Sequence, residues 1–133
     1  MTAVFADTFY FFALTNAKDR AHQKAFQFSQ ERRINLVTTP WVLTELADGL
    51  SQSFSRSVFH RVLRNFRYNP RNVLVPATEA LFERGVEAYN FYQDKDWSLT
   101  DCISFLVMRD YGITEALTAD HHFAQAGFSL LLE

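Results

Sequence analysis

Short, largely apolar runs alternate along this chain with segments of helical periodicity, and that alternation restricts the fold more than any other feature. Continuous apolar runs are typical of strands that are buried on both faces of a parallel sheet. The runs are Ala3–Ala6, Leu36–Thr38, Val73–Val75 and Ala116–Thr118. Because strands that alternate with helices form βαβ units, the sequence predicts an α/β fold, a three-layer α/β/α sandwich with a mainly parallel central sheet.

The segments between these runs predict the helices. Pro40 after Thr39 suits a helix start, and Ser98 followed three residues later by Asp101 matches a capping box. No linker, repeat or low-complexity tract divides the 133 residues, so we predict one domain over 1–133. The predicted helices cover Phe9–Leu14, Arg20–Glu31, Pro40–Gly49, Phe54–Arg67, Thr78–Tyr92, the segment from Ser98 to Gly112, and His121–Ala126, before a last edge strand at Ser129–Leu131.

Composition excludes several classes of protein. A hydrophobic content of 48% with 16% aromatic residues indicates a folded globular chain. The net charge of −2 provides no overall attraction to nucleic acid or membrane, so a polyanion would need a local basic patch. The single cysteine, Cys102, cannot form an intramolecular disulfide, and no apolar stretch approaches the ~20 residues that span a bilayer. We therefore expect a protein of the reducing cytoplasm with no membrane partner.

Four acidic residues occur where parallel α/β folds place their sites. Asp7 and Asp120 follow apolar runs, whereas Glu45 and Asp101 lie near the beginnings of helices. In a parallel sheet with right-handed crossovers, strand ends and the helix starts that follow them share one edge. The sequence therefore predicts that the four carboxylates converge.

Each acid also has a structural interpretation. Asp7 and Asp120 could cap the helices that follow them, Asp101 fits the capping box, and Glu45 could be a solvated helix residue. No single acid distinguishes these interpretations from catalysis, and the functional hypothesis depends on their joint placement.

Clustered carboxylates suit hard divalent cations, which prefer oxygen ligands. Without a cation, some of the four would hold protons through raised pKa values. Mg²⁺ or Mn²⁺ would relieve that repulsion, and a site of this kind favours metal-assisted hydrolysis of a phosphodiester bond. We expect Asp7 and Asp101 to hold the metal with help from Glu45 and Asp120.

Four segments of the chain, in this order, resemble the PIN-domain family, in particular toxins of the virulence-associated protein C type from bacterial and archaeal toxin–antitoxin pairs. The resemblance spans nearly the whole chain. The matching segments are Val4–Thr8, Thr39–Leu46, Asp96–Cys102 and Ala116–Phe123.

The resemblance implies a metal-dependent ribonuclease using Mg²⁺ or Mn²⁺, with the family's acidic ligands at Asp7, Glu45, Asp101 and Asp120. It also implies that the hydroxyls of three residues near the site contact a metal-bound water or a phosphate oxygen. A homodimer and a neutralising antitoxin protein are expected partners. In the adjacent pair His121–His122, the second histidine could lean over the site, but a histidine beside a helix cap is commonly structural and we assign it no catalytic role. The three hydroxyl residues are Thr8, Ser98 and Thr118.

The segment from Gln52 to Val75 contains five arginines and no acid. Four of them share a helical spacing with His60 and predict a basic face that holds RNA phosphates. A solvated face, or a surface for an acidic partner protein, remains an equal alternative. The four are Arg56, Arg64, Arg67 and Arg71.

Two rival functions remain to be considered. A phosphatase of the haloacid dehalogenase type would need a second aspartate two positions after Asp7, where the chain has Phe9, and no glycine-rich phosphate loop is present. The second rival is a catalytically silent PIN-like module that binds RNA or protein. Cleavage assays with added Mn²⁺ distinguish it from the nuclease.

Overall fold

The computed structural model describes all residues from 1 to 133 and contains five strands and seven helices. All strand pairs are parallel, and the order across the sheet is β3–β2–β1–β4–β5. The predicted element boundaries differ from the observed ones by at most two residues. In chain order the elements are β1 (Thr2–Ala6), α1 (Thr8–Thr15), α2 (His22–Ser29), β2 (Ile34–Thr38), α3 (Pro40–Gly49), α4 (Arg56–Tyr68), β3 (Val73–Leu74), α5 (Glu79–Phe91), α6 (Leu99–Asp110), β4 (Glu115–Leu117), α7 (His121–Gln125) and β5 (Ser129–Leu130).

The strand order explains the three layers. The chain moves from β1 to β2 and β3 in one direction and then crosses to β4 on the other side of β1. Right-handed crossovers place α1 to α4 on one face and α5 to α7 on the other. The predicted α/β/α sandwich is therefore confirmed, and the sheet is wholly parallel.

The core is apolar and rich in phenylalanine. Phe105 of α6 packs edge-on against Phe123 of α7 with ring centroids 4.9 Å apart, and Phe5 of β1 lies 6.3 Å from Phe123. The thiol of Cys102 is buried in the same core, as expected of a small hydrophobic side chain. These contacts fix α6, which contains Asp101, and α7, which follows Asp120, against the sheet.

Helices α6 and α7 both end at a glycine with positive φ. Gly112 has φ +68° and Gly127 has φ +97°, conformations in which a Cβ would be strained. The next residue in each case donates its backbone N–H back into the helix, at 2.8 Å from Ile113 to Met108 and 3.0 Å from Phe128 to Phe123. The two helices consequently end abruptly and lead directly into β4 and β5.

The structure contains no helix of the length and apolarity needed to cross a membrane.

Candidate active site

Asp7 and Asp120 meet because their strands are neighbours. β1 pairs with β4 through Phe5–Ala116 and Ala6–Leu117, so the carboxyl ends of the two strands lie side by side. The sheet reverses its strand order here, which is where open α/β sheets form a crevice. The buried hydroxyl of Thr118, directly after β4, donates to Asp7 Oδ2 at 2.8 Å.

Asp101 joins this group from the first turn of α6. One donor atom each of Asp101, Asp120 and His122 lies within 4.8 Å of the other two. His122 Nδ1 is 3.0 Å from Asp101 Oδ2 and 3.5 Å from Asp120 Oδ1. Two carboxylates and an imidazole therefore face one small space at the switch point of the sheet.

Glu45 reaches the site through a single hydrogen bond. It lies on α3, is exposed, and accepts a 2.7 Å hydrogen bond from the Thr8 hydroxyl at Oε1. Thr8 directly follows Asp7 and begins α1. The structure thus brings Asp7, Asp101 and Asp120 together and connects Glu45 to them through Thr8.

Two of the acids, Asp101 and Asp120, cap a helix and also belong to the acidic cluster. The Asp101 side chain accepts the backbone N–H of Ser98 at 3.1 Å, and Asp120 accepts that of His122 at 2.9 Å. Asp7, in contrast, makes no side-chain cap bond to α1. Capping therefore does not explain why a buried carboxyl occupies position 7.

The three hydroxyl residues orient this site. Thr8 donates to Glu45, Thr118 donates to Asp7 and accepts the Asp120 N–H at 3.0 Å, and Ser98 accepts the Asp101 N–H at 3.0 Å. Contact between these hydroxyls and water or phosphate stays a prediction. The hydroxyls of Thr8 and Thr118 fix the rotamers of Glu45 and Asp7 before any ligand arrives, whereas the bonds to the N–H groups of Asp101 and Asp120 hold the backbone of those two acids.

Burial and mutual repulsion make the site electrostatically unfavourable on its own. Burial, with the charges of Asp101 and Asp120, raises the pKa of Asp7 to about 7, although the Thr118 hydroxyl opposes the shift. Burial also raises the pKa of Asp101, and the Ser98 N–H and His122 partly oppose it. A bound cation would stabilise the ionised form of both acids.

The donor atoms fit a divalent cation. Asp101 and Asp120 each make their hydrogen bonds through one oxygen, which leaves Asp101 Oδ1 and Asp120 Oδ2 without a hydrogen-bond partner in the protein. Carboxylate oxygens are the ligands that Mg²⁺ and Mn²⁺ prefer. The structure therefore contains a candidate metal centre.

His122 is the site residue to which sequence reasoning gave no role. The available signal was its position two residues after Asp120, which places it in the first turn of α7 above a capping aspartate. His121 precedes it and is exposed. Which of two adjacent histidines turns inward depends on the direction in which α7 leaves β4, and that direction is set by tertiary packing.

The predicted basic face is only partly helical. Arg56, Arg64 and Arg67 lie exposed on α4, but Arg71 lies in the turn after the helix ends at Tyr68, so its predicted place on the same helical face is wrong. The chain turns at Asn69, whose side chain accepts the Arg71 N–H at 3.0 Å, and Pro70 cannot continue the helical hydrogen bonding. None of the four arginines forms an ion pair with an acid.

Solved structures similar to this chain include toxins and their complexes. VapC20 of Mycobacterium tuberculosis, described as a sarcin–ricin loop cleaving toxin, has a TM-score of 0.82 and 28% sequence identity over 94% of this chain and 95% of its own. VapBC2 of Rickettsia felis, bound to a DNA fragment from its promoter, has a TM-score of 0.66 at 12% identity, with 97% of each chain covered. The FitAB complex of Neisseria gonorrhoeae has a TM-score of 0.64 at 14% identity, with 96% of this chain and 95% of that one covered. The last two similarities establish the fold alone.

A comparison with curated proteins gave no match. The model of the PIN domain, however, matches residues 4–129, which include all four acids and His122. On that match, which covers almost the full length of the chain, this protein belongs to the PIN domain family.

Proposed function

We propose that this protein is a metal-dependent endoribonuclease and the toxin component of a type II toxin–antitoxin system. The observation that carries the proposal is the convergence of Asp7, Asp101 and Asp120 at the switch point of the sheet, with Glu45 connected through Thr8. The similarity to VapC20, whose described activity is cleavage of the sarcin–ricin loop, supports RNA as the substrate class.

In this proposal the four acids hold Mg²⁺ or Mn²⁺, with Asp101 and Asp120 as the nearest pair. The ion would supply Lewis acidity and charge neutralisation for phosphodiester hydrolysis. Thr118, Ser98 and Thr8 keep the carboxylates in place, which lowers the reorganisation needed when substrate arrives. Without the ion, burial holds the pKa of Asp7 at about 7, so binding of the cation should release the proton of this carboxyl near neutral pH.

The test is cleavage of a synthetic stem–loop with the sarcin–ricin sequence, with Mn²⁺, with Mg²⁺ and with a chelator. We expect wild-type protein to cut in the presence of metal only. Asp101→Asn and Glu45→Gln should lose at least about 100-fold in rate, since each removes a charged ligand. Asp48, an exposed acid on α3 with no ion pair, provides a matched control as its asparagine variant.

The same assay addresses the catalytically silent alternative. A module that only binds RNA would leave every stem–loop intact with either metal, and its Asp101→Asn variant would retain wild-type affinity. Cleavage by Asp101→Asn at the wild-type rate would instead contradict the assignment of the site.

We further propose that the basic face holds RNA phosphates. Arg56, Arg64 and Arg67 are exposed, unpaired cations on one helix, and Arg71 extends the patch into the next turn. Each phosphate contact that is lost should reduce the slope of log affinity against log salt by about 0.7. Changing Arg64 and Arg67 to Gln should therefore reduce that slope by about 1.4, whereas the exposed Arg20, changed to Gln, should leave it unchanged. An unaltered slope in the double variant would show that this basic face does not bind RNA phosphates.

An antitoxin would find a groove, lined mainly by apolar residues, that lies away from the four acids. The groove has a volume of about 670 Å³ and is formed by α1, α2, β2 and α4, and none of the four acids lines it. Phe26 of α2 is 51% exposed at its edge, and Leu14 and Val62 form part of its wall. We propose that an apolar antitoxin segment packs here. Co-expression with the product of the adjacent reading frame should yield a complex that Phe26→Asp disrupts; purification of the wild-type protein alone would contradict this partner.

A homodimer is the proposed assembly. Large aromatic side chains remain exposed on the isolated chain, including Phe54 at 80% and Phe91 at 78%. Such side chains are typical of protein interfaces. Sedimentation of the purified protein should give twice the mass of one chain, and a monomer at all concentrations would refute the dimer.

A further inference from the structure

His122 faces the acidic cluster with the geometry of a ligand. Its Nδ1 lies 3.0 Å from Asp101 Oδ2 and 3.5 Å from Asp120 Oδ1, and its side chain is 31% exposed. The backbone N–H of the same residue donates to Asp120 Oδ1 at 2.9 Å. Two separate groups of His122 therefore contact one of the acids, and the ring also reaches the other.

These separations match those between adjacent ligands of one ion. Ligands at 2.0–2.1 Å in an octahedral site lie about 3 Å from their neighbours. The distance from Nδ1 to Asp101 Oδ2, 3.0 Å, equals that spacing, and the distance to Asp120 Oδ1 exceeds it by about 0.5 Å. These two oxygens also accept the backbone N–H groups of Ser98 and His122, and a carboxylate oxygen can accept such a hydrogen bond while it binds an ion. A neutral imidazole with its proton on Nε2 would present the Nδ1 lone pair to the space between the two carboxylates.

We propose that His122 is a nitrogen ligand of the cation that Asp101 and Asp120 hold, and that it makes the site selective for Mn²⁺ and other transition-metal ions over Mg²⁺. The inference rests on the metal centre of the proposed function. Mg²⁺ requires hard oxygen ligands and exchanges them reluctantly, whereas imidazole binds first-row transition metals well. An all-carboxylate centre would lack this selectivity.

The competing role is that of a positioning residue, in which Nδ1–H only donates a hydrogen bond to Asp101. The adjacent His121 is exposed and forms no hydrogen bond or ion pair through its side chain with any acid, so it provides a matched control on the same turn. Activity alone would not separate the two roles because both affect the site.

The test is electron spin echo spectroscopy of Mn²⁺ bound to the full-length protein, which detects nitrogen in the coordination sphere. We expect a ¹⁴N coupling in wild type and in His121→Ala and its loss in His122→Ala. Calorimetric titration should show that His122→Ala weakens Mn²⁺ binding by at least about tenfold and Mg²⁺ binding much less. The wild-type spectrum does not depend on whether the variant folds.

The outcomes separate this inference from the nuclease proposal. Tight Mn²⁺ binding without a nitrogen coupling would show that His122 is not a ligand, and it would remain consistent with a metal centre formed by carboxylates alone. A nitrogen coupling in a protein that cuts no RNA would support His122 and refute the nuclease. Failure of wild type to bind Mn²⁺ at all would overturn both.

Discussion

Replacement of Asp7 by asparagine should stabilise the metal-free protein, and by an amount that depends on pH. Asn is nearly isosteric with Asp, is neutral at every pH, and retains an oxygen that can accept the Thr118 hydroxyl. The substitution therefore removes the charge of a buried carboxyl with little change in packing.

The magnitude follows from the pKa of Asp7, which burial raises from 3.8 to about 7. Between these values the folded protein keeps a proton that the unfolded chain has lost, so the free energy of unfolding of wild type falls as pH rises and stops falling above pH 7. The full difference corresponds to about 4 kcal/mol. From pH 5 to pH 8, the advantage of Asp7→Asn over wild type should grow by about 2 to 3 kcal/mol.

Urea unfolding with a chelator present, followed by tryptophan fluorescence at several pH values between 5 and 8, measures this difference. The control is Asp48→Asn, which neutralises an exposed acid on α3 and should show no pH-dependent gain. A difference between Asp7→Asn and wild type that stays constant over this range would refute the argument that Asp7 is buried and repelled in the folded protein.

Three further substitutions test the packing around the site. Gly85→Ala should lower the free energy of unfolding by about 1 to 3 kcal/mol in urea titrations, because the new Cβ would lie 2.4 Å from Ile103 Cγ1. An unchanged free energy would contradict this close approach of α5 and α6. Ser104→Ala should stabilise by about 1 kcal/mol, since this buried hydroxyl has no hydrogen-bond partner, and a lowered thermal midpoint would indicate a missed partner. Thr8→Val should reduce the rate of RNA cleavage by about tenfold, because Glu45 loses its only hydrogen-bond donor. The circular dichroism spectrum should stay that of the wild type. Cleavage at the wild-type rate would show that Glu45 does not need the Thr8 hydroxyl.

The fold could be predicted because local patterns and global topology agree in this chain. Continuous apolar runs indicated buried parallel strands, and Pro40 and the Ser98–Asp101 capping box indicated two helix starts that the structure confirms. The edges of elements such as α2 were less accurate, since its ends carry no strong start or stop signal.

The convergence of Asp7, Asp101 and Asp120 could also be predicted, because strand ends and helix starts share one edge of a parallel sheet. The contacts of the His122 ring with both Asp101 and Asp120, and the Thr8–Glu45 hydrogen bond, could not. Both depend on side-chain directions that are set by tertiary packing. Arg71 was misplaced because its four-residue spacing continued the helical pattern past Pro70, where the backbone leaves the helix.

The central claim is that the carboxylates of this sheet edge hold a divalent cation. Crystals grown with Mn²⁺, measured near the manganese absorption edge, test it most directly. The account predicts an anomalous peak between Asp101 and Asp120, at about 2.2 Å from a carboxylate oxygen of each. A well-ordered site without such a peak, or a Mn²⁺ ion bound only elsewhere on the surface, would contradict it.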